Sequence, residues 1–179
     1  MDTITATKFE GVYLIKPPIH QDSRGVFVKP YNSEAYIEKK IITSFDEYYY
    51  SHSKKGVIRG MHFQNPPNDH AKLVSVLNGS ILDVIVDLRK ESKTYLMSES
   101  FELSQQNSHS LYIPSGFAHG FLSEEDNTIV SYLVSSCYSS VSDDGILYSS
   151  ISFNWPIENP NLSERDSNFT TLQEFDSPF

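Results

Sequence analysis

The chain has 179 residues, a length that favours one domain over 1–179 and can bury a substantial core. Its formal charge of −9 excludes a broad nucleic-acid footprint, which needs clustered Lys and Arg, while leaving room for a few cations converging on a small anion. A single cysteine, Cys137, excludes an internal disulfide, and no run has signal-peptide or membrane-spanning character, so a cytoplasmic protein with no membrane partner is expected.

Taken in chain order, the pattern is one of short strands broken by turns. "GVYLIKP" (11–17) and "GVFVKPY" (25–31) read as strands. "SEAYIEKKI" (33–41) is the best helix candidate, with Ser33 as N-cap. "KLVSVLNGSILDVIVDL" (72–88) reads as two strands joined at Asn78-Gly79, a hairpin signal. On the second of these, Ile81, Asp83, Ile85 and Asp87 share one face, and Leu82, Val84, Val86 and Leu88 the other. "SHSLYIP" (108–114) and "NTIVSYLVSSCY" (127–138) add two more strands, and "LSERDSNF" (162–169) a short helix. Many strands without alternating helices indicate a sandwich or barrel. An acid such as Asp83 on an otherwise apolar face needs a partner inside that barrel.

"GVIRGMHFQ" (56–64) resembles the start of the first cupin motif, and "PSGFAHGF" (114–121) the end of the second. Together they imply an all-β, cupin-type double-stranded β-helix (jelly roll) with a few short helices. A metal-binding cupin needs His-x-His and a glutamate, whereas here His62 is followed by Gln64 and the next glutamate is Glu91. The ligand set is incomplete, so no metal is expected.

A more specific resemblance runs from about residue 8 to 170. "DSRGVF", "GVIRGMHFQ", "KLV", "GSILDVIVDLRKESKTY", "YIPSGFAHGF", "NWP" and "LSERD" occur in the order typical of the dTDP-4-dehydrorhamnose 3,5-epimerase family. The resemblance implies a dimeric, cofactor-independent isomerase acting on a nucleotide-diphosphate sugar, in surface-polysaccharide or deoxysugar biosynthesis. Such an enzyme inverts carbon 3, carbon 5 or both, because a ketone at carbon 4 acidifies the neighbouring C–H bonds. That chemistry needs a base, a cation near the ketone oxygen and an acid on the opposite face.

His62 resembles the family's base and Asp166 its orienting partner; Lys72 resembles the cation near the ketone. Tyr138 resembles the acid. Tyr132 lies six residues earlier, on the same face of an unbroken strand and about 20 Å away, and is expected as core or pocket wall. Arg24 and Arg59 resemble the diphosphate ligands, whose role suits the guanidinium fork. Phe27, Lys29, Glu47, Tyr49 and Ser51 fall where relatives contact base and sugar. His119 is expected in the pocket, bonded to sugar or to Asp83. His20, His52, His70 and His109, with Arg89 and Arg165, are expected at the surface.

The chain departs from the family's usual Glu at Lys29, Gln at Glu47 and Asn at Tyr49, and from a Pro after the tyrosine at Ser140. The first three alter the recognition shell enough to bring GDP-linked heptoses level with dTDP-linked hexoses. Two competing readings are a 3,4-ketoisomerase of nucleotide sugars and a catalytically silent sugar-binding cupin.

Overall fold

The computed structural model describes residues 3–39, 41 and 44–179. Its strands are β1 (Thr3–Ala6), β2 (Tyr13–Lys16), β3 (Ile19–Asp22), β4 (Gly25–Val28), β5 (Glu47–Ser53), β6 (Ile58–Gln64) and β7 (Lys72–Asn78). The second half adds β8 (Ser80–Asp87), β9 (Ser98–Ser104), β10 (Ser110–Ile113), β11 (Phe117–Ser123), β12 (Thr128–Val134) and β13 (Asp143–Gly145). Helices α1 (Ser33–Ile37) and α2 (Glu164–Ser167) are short. A six-stranded sheet, β1-β2-β10-β7-β12-β5, faces a five-stranded sheet, β13-β6-β11-β8-β9. This is the jelly roll of the cupin type.

Strand alternation explains how one chain serves three apolar layers. Ile81 and Ile85 on β8 enter the core between the sheets, with Val74, Val76, Val130 and Val134 from the opposite sheet. Val84, Val86 and Leu88 point outward and are covered by the C-terminal segment through Leu172, Phe175 and Phe179. Outside the six-stranded sheet, Tyr36 of α1 packs with Ile15, Leu73 and Tyr112. Each such buried side chain contributes roughly 1.5–3 kcal/mol. The space between the sheets is filled at one end and open at the other, which makes the cavity.

Two local expectations are corrected. Asn78-Gly79 does not close a hairpin: β7 lies between β10 and β12, and β8 between β11 and β9, so the turn crosses from one sheet to the other. Gly79 is needed there for its positive φ of 77° and because a Cβ would stand 2.5 Å from Thr128 Oγ1. The first helix is capped by Asn32, whose side chain accepts from Glu34 N at 3.2 Å, and not by Ser33. It covers only Ser33–Ile37 of the expected 33–41 stretch, of which residue 40 lies outside the described residues.

Strands β3 and β4 pair with each other and with neither large sheet. Their hairpin leaves Ile19, Val26 and Phe27 exposed. No helix among the described residues is long and apolar enough to cross a membrane.

Candidate active site

The open end of the jelly roll holds a cavity of about 520 Å³, built from both sheets. The five-stranded sheet supplies Arg59, His62 and Gln64 from β6 and His119 and Phe121 from β11. The six-stranded sheet supplies Glu47, Tyr49 and Ser51 from β5, Lys72 from β7 and Tyr132 from β12. His70, Tyr138, Asp143 and Arg165 complete the wall and the rim.

The spacing of Arg59 and His62 poses a geometric problem, because residues three apart on a regular strand point to opposite faces. A bulge solves it. His62 pairs with His119 and Arg59 with Phe121, so three steps on β6 match two on β11. Gly60, at the bulge, has φ 148°, and a Cβ there would meet Gly120 Cα at 2.5 Å. The glycine of "RGMH" therefore lets both Arg59 and His62 line the cavity.

His62 Nε2 donates to Asp166 Oδ1 at 2.9 Å. Oδ2 of the same carboxylate accepts from Gly60 N at 3.1 Å. Asp166 is buried in the first turn of α2, where Ser163, the N-cap, accepts its backbone N–H at 3.0 Å. With Nε2 carrying the proton, Nδ1 is the basic nitrogen of His62. Burial lowers the His62 pKa below its usual value; Asp166 opposes this, and Lys72 and Arg165 reinforce it. The ring is therefore neutral near pH 7, as a base must be. Burial alone would raise the Asp166 pKa, but hydrogen bonds and charge from His62, with the Gly60 N–H and the Ser163 side chain, bring it down.

Lys72 is a buried cation, not the solvated lysine usual at a strand start. Nζ donates to the carbonyl of His62 at 3.1 Å, which sets the ammonium beside that residue. Burial pulls its pKa down to about 8, against the attraction of Asp143 and Asp83. His119 Nε2 donates to Asp83 Oδ2 at 2.7 Å, so the acid on the apolar face has its partner. Arg59 Nε donates to Ser53 Oγ at 3.0 Å and Nη2 to the His52 carbonyl at 3.2 Å, which holds the guanidinium at the cavity edge.

The two tyrosines differ from expectation. The strand carrying Tyr132 stops at Val134, so the chain turns before Tyr138 and both residues reach the same cavity. Tyr132 is buried, stacks on Tyr49 at 4.8 Å with 21° between rings, and faces β6 from the opposite sheet. Burial raises its pKa, supported by Tyr49 and Asp83 against Ser51 and Arg59, so the phenol keeps its proton. The Tyr49 phenol is likewise held up at about 12, by burial and then by Glu47 and Asp143. Tyr138 stands at the mouth, 63% exposed, its hydroxyl donating to Asp143 Oδ2 at 3.3 Å.

Other placements were less legible. Glu47 reaches the cavity, but its Oε2 accepts Tyr138 N at 3.1 Å. Arg165, expected as a surface charge, pairs with Asp143 at 2.8 Å on the rim. His70, also expected outside, is a half-buried part of the wall. Arg89 is not a free surface charge either, since it clasps buried Asp87, away from the cavity. Arg24, Phe27 and Lys29 lie on or just past the β3–β4 hairpin and do not line this cavity; Arg24 pairs with Asp22. Among the described residues no three His, Cys, Asp or Glu side chains converge as metal ligands.

Comparison with known proteins agrees over nearly the whole length. Residues 6–174 match the family model described as dTDP-4-dehydrorhamnose 3,5-epimerase. The chain is 38% identical over 173 residues to the protein of that name from Methanothermobacter thermautotrophicus, covering 94% of this chain and 93% of the relative. A crystal structure of the Bacillus anthracis enzyme of that name, with TDP and pyrophosphate bound, superposes with a TM-score of 0.93 at 37% identity, covering 96% of this chain and 100% of that one. A 3'-monoepimerase from Streptomyces bikiniensis in complex with dTDP gives 0.89 at 28% identity, covering 94% and 86%. That last structure is a double mutant in which a histidine became asparagine and a tyrosine seventy positions later became phenylalanine.

Proposed function

Because this chain belongs to the dTDP-4-dehydrorhamnose 3,5-epimerase family, a family of isomerases, we propose that it epimerises a dTDP-linked 4-keto-6-deoxy sugar at carbon 3, carbon 5 or both. One observation carries the chemistry: a carboxylate-oriented neutral histidine and a protonated tyrosine enter one cavity from opposite sheets, with a buried cation beside the histidine. His62 Nδ1 removes the proton next to the ketone. The Lys72 ammonium meets the charge that develops on the ketone oxygen, in a site where little water competes with it. A proton then returns from the other side, which inverts the carbon.

We assign that return to Tyr132 in place of Tyr138. Tyr138 was preferred when an unbroken strand kept the two tyrosines apart, and the strand is broken. Tyr132 is the buried one, and its separation from His62 is seventy residues, the same as the histidine–tyrosine pair substituted in the S. bikiniensis monoepimerase. The exposed Tyr138 ring at the mouth suits stacking on a nucleobase. Arg59 and Arg165 on the cavity edge suit the diphosphate.

GDP-linked heptoses are the less favoured reading. It drew in part on a Glu47 carboxylate turned to a purine edge, and one of its oxygens is taken by Tyr138 N–H. The TDP and dTDP complexes of relatives favour the pyrimidine.

A homodimer completes the reading. The β3–β4 hairpin exposes Ile19, Val26 and Phe27 at 46%, 60% and 62%, an apolar surface that docking against a second copy would cover. Arg24, Phe27 and Lys29 would then serve the partner's nucleotide site.

The reaction is tested by NMR with dTDP-4-keto-6-deoxyglucose in deuterated water. Deuterium at carbon 3 or 5 supports the epimerase. Migration of the ketone to carbon 3 would identify a ketoisomerase, and an unchanged sugar a binding module. Prior dialysis against a chelator is expected to leave the rate unaltered.

A further inference from the structure

We propose that His70 is a sugar-contacting, specificity-determining residue of this cavity, presenting Nε2–H as a neutral donor beside Lys72, and that Gln64 is the residue that orients it. This rests on the reading of the cavity as a keto-sugar site. Gln64 follows His62 by two positions on β6, so both side chains point inward. It is 3% exposed. Its partners fix which end is which: Ser139 N donates to Oε1 at 2.6 Å, and only the oxygen can accept. The amide nitrogen then donates one proton to the Asn68 carbonyl at 2.6 Å and turns the other to His70 Nδ1 at 3.1 Å, which is nearer than the Cys137 carbonyl at 3.3 Å or Ser136 Oγ at 3.4 Å.

A ring nitrogen that accepts carries no proton, so the His70 proton sits on Nε2. Nδ1 is turned to Gln64, Nε2 lies across the ring, and the ring is part of the cavity wall. Among the described residues Nε2 has no protein partner. Burial, then the charge of Lys72, brings the His70 pKa to about 3, so the ring stays neutral at any working pH. Neutrality also protects Lys72, whose own proton a neighbouring imidazolium would drive off. An N–H donor next to this cation, inside the rim arginines, matches an oxygen of the sugar (the ketone or a hydroxyl), not the diphosphate.

The test compares His70→Phe, which keeps a flat ring without a donor, with His70→Gln, which keeps a donor. His70→Phe is expected to raise KM for dTDP-4-keto-6-deoxyglucose roughly fivefold to tenfold, the worth of one neutral hydrogen bond, while calorimetry finds dTDP binding within about twofold of wild type. His70→Gln should recover most of the loss. Should the phenylalanine not be accommodated, His70→Ala serves the same comparison. A parallel loss of dTDP and keto-sugar affinity would show that the ring only props the 136–139 segment, and an unchanged KM that it touches nothing. Either result overturns the proposal. Solvent exchange by the wild-type enzyme, measured alongside, separates the two failures: its absence overturns the keto-sugar reading itself.

Discussion

Asp166→Asn isolates the orientation of the base from its presence. The asparagine oxygen must face Gly60 N–H, which can only donate, so its NH2 group is turned to His62 Nε2. That nitrogen must then accept, and the ring proton moves to Nδ1, the position that has to be bare for proton removal. The fold should tolerate the change, because the Gly60 bond survives and no charge is left unpaired. What is lost is general-base catalysis, worth about 10²–10⁴ in rate, or roughly 3–5 kcal/mol of barrier. The assay is the rate of deuterium incorporation from solvent into the keto sugar, with thermal unfolding as the control for structure. An exchange rate within tenfold of wild type, in a folded variant, would refute the role given to the carboxylate.

Three further outcomes are expected. Tyr132→Phe should still exchange deuterium yet form about a hundredfold less inverted product, while Tyr138→Phe, which keeps the ring, should leave inversion near wild type and Tyr138→Ala should weaken nucleotide binding; if Tyr138→Phe instead blocks inversion, the two roles are exchanged. The pH profile of kcat/KM should be bell-shaped, because His62 must be neutral and Lys72 charged. Activity should fall as pH drops through the lowered His62 pKa, below 6.5, and as pH rises through about 8 where Lys72 loses its proton. A rate that holds level to pH 9.5 would show that the ammonium is not required. Light scattering should find a dimer, and Phe27→Asp should shift it to monomer with loss of activity; a fully active monomer would contradict the shared site.

The grouping of His62, Asp166 and Lys72 was legible because their motifs are local and the resemblance placed them in one site, and the structure brings the three together. Asp83 was legible from alternation alone, since an acid between Ile81 and Ile85 must find a partner, and His119 provides it. The distance between the two tyrosines was misjudged because strand length was read from β-forming composition. Ser135 and Ser136 end the strand by turning to the backbone: Ser135 Oγ accepts Ala71 N at 2.9 Å, and Ser136 Oγ donates to the Asn68 carbonyl at 2.8 Å. The Asn78-Gly79 turn misled for a related reason. Its local chemistry fits a hairpin, but the flanking strands found other neighbours on both edges. Arg165 was placed outside because its partner, Asp143, lies 22 residues away on another element, and His70 because the two prolines between it and Gln64 hide a contact only six residues apart.

The central claim is that His62 removes the proton beside the ketone. It is tested most directly by His62→Asn, incubated with dTDP-4-keto-6-deoxyglucose in deuterated water and followed by NMR against the wild-type enzyme. The account predicts deuterium at carbon 3 or 5 with wild type and none above the uncatalysed background with the variant, at either carbon. Exchange by a folded His62→Asn at a rate near wild type would contradict it.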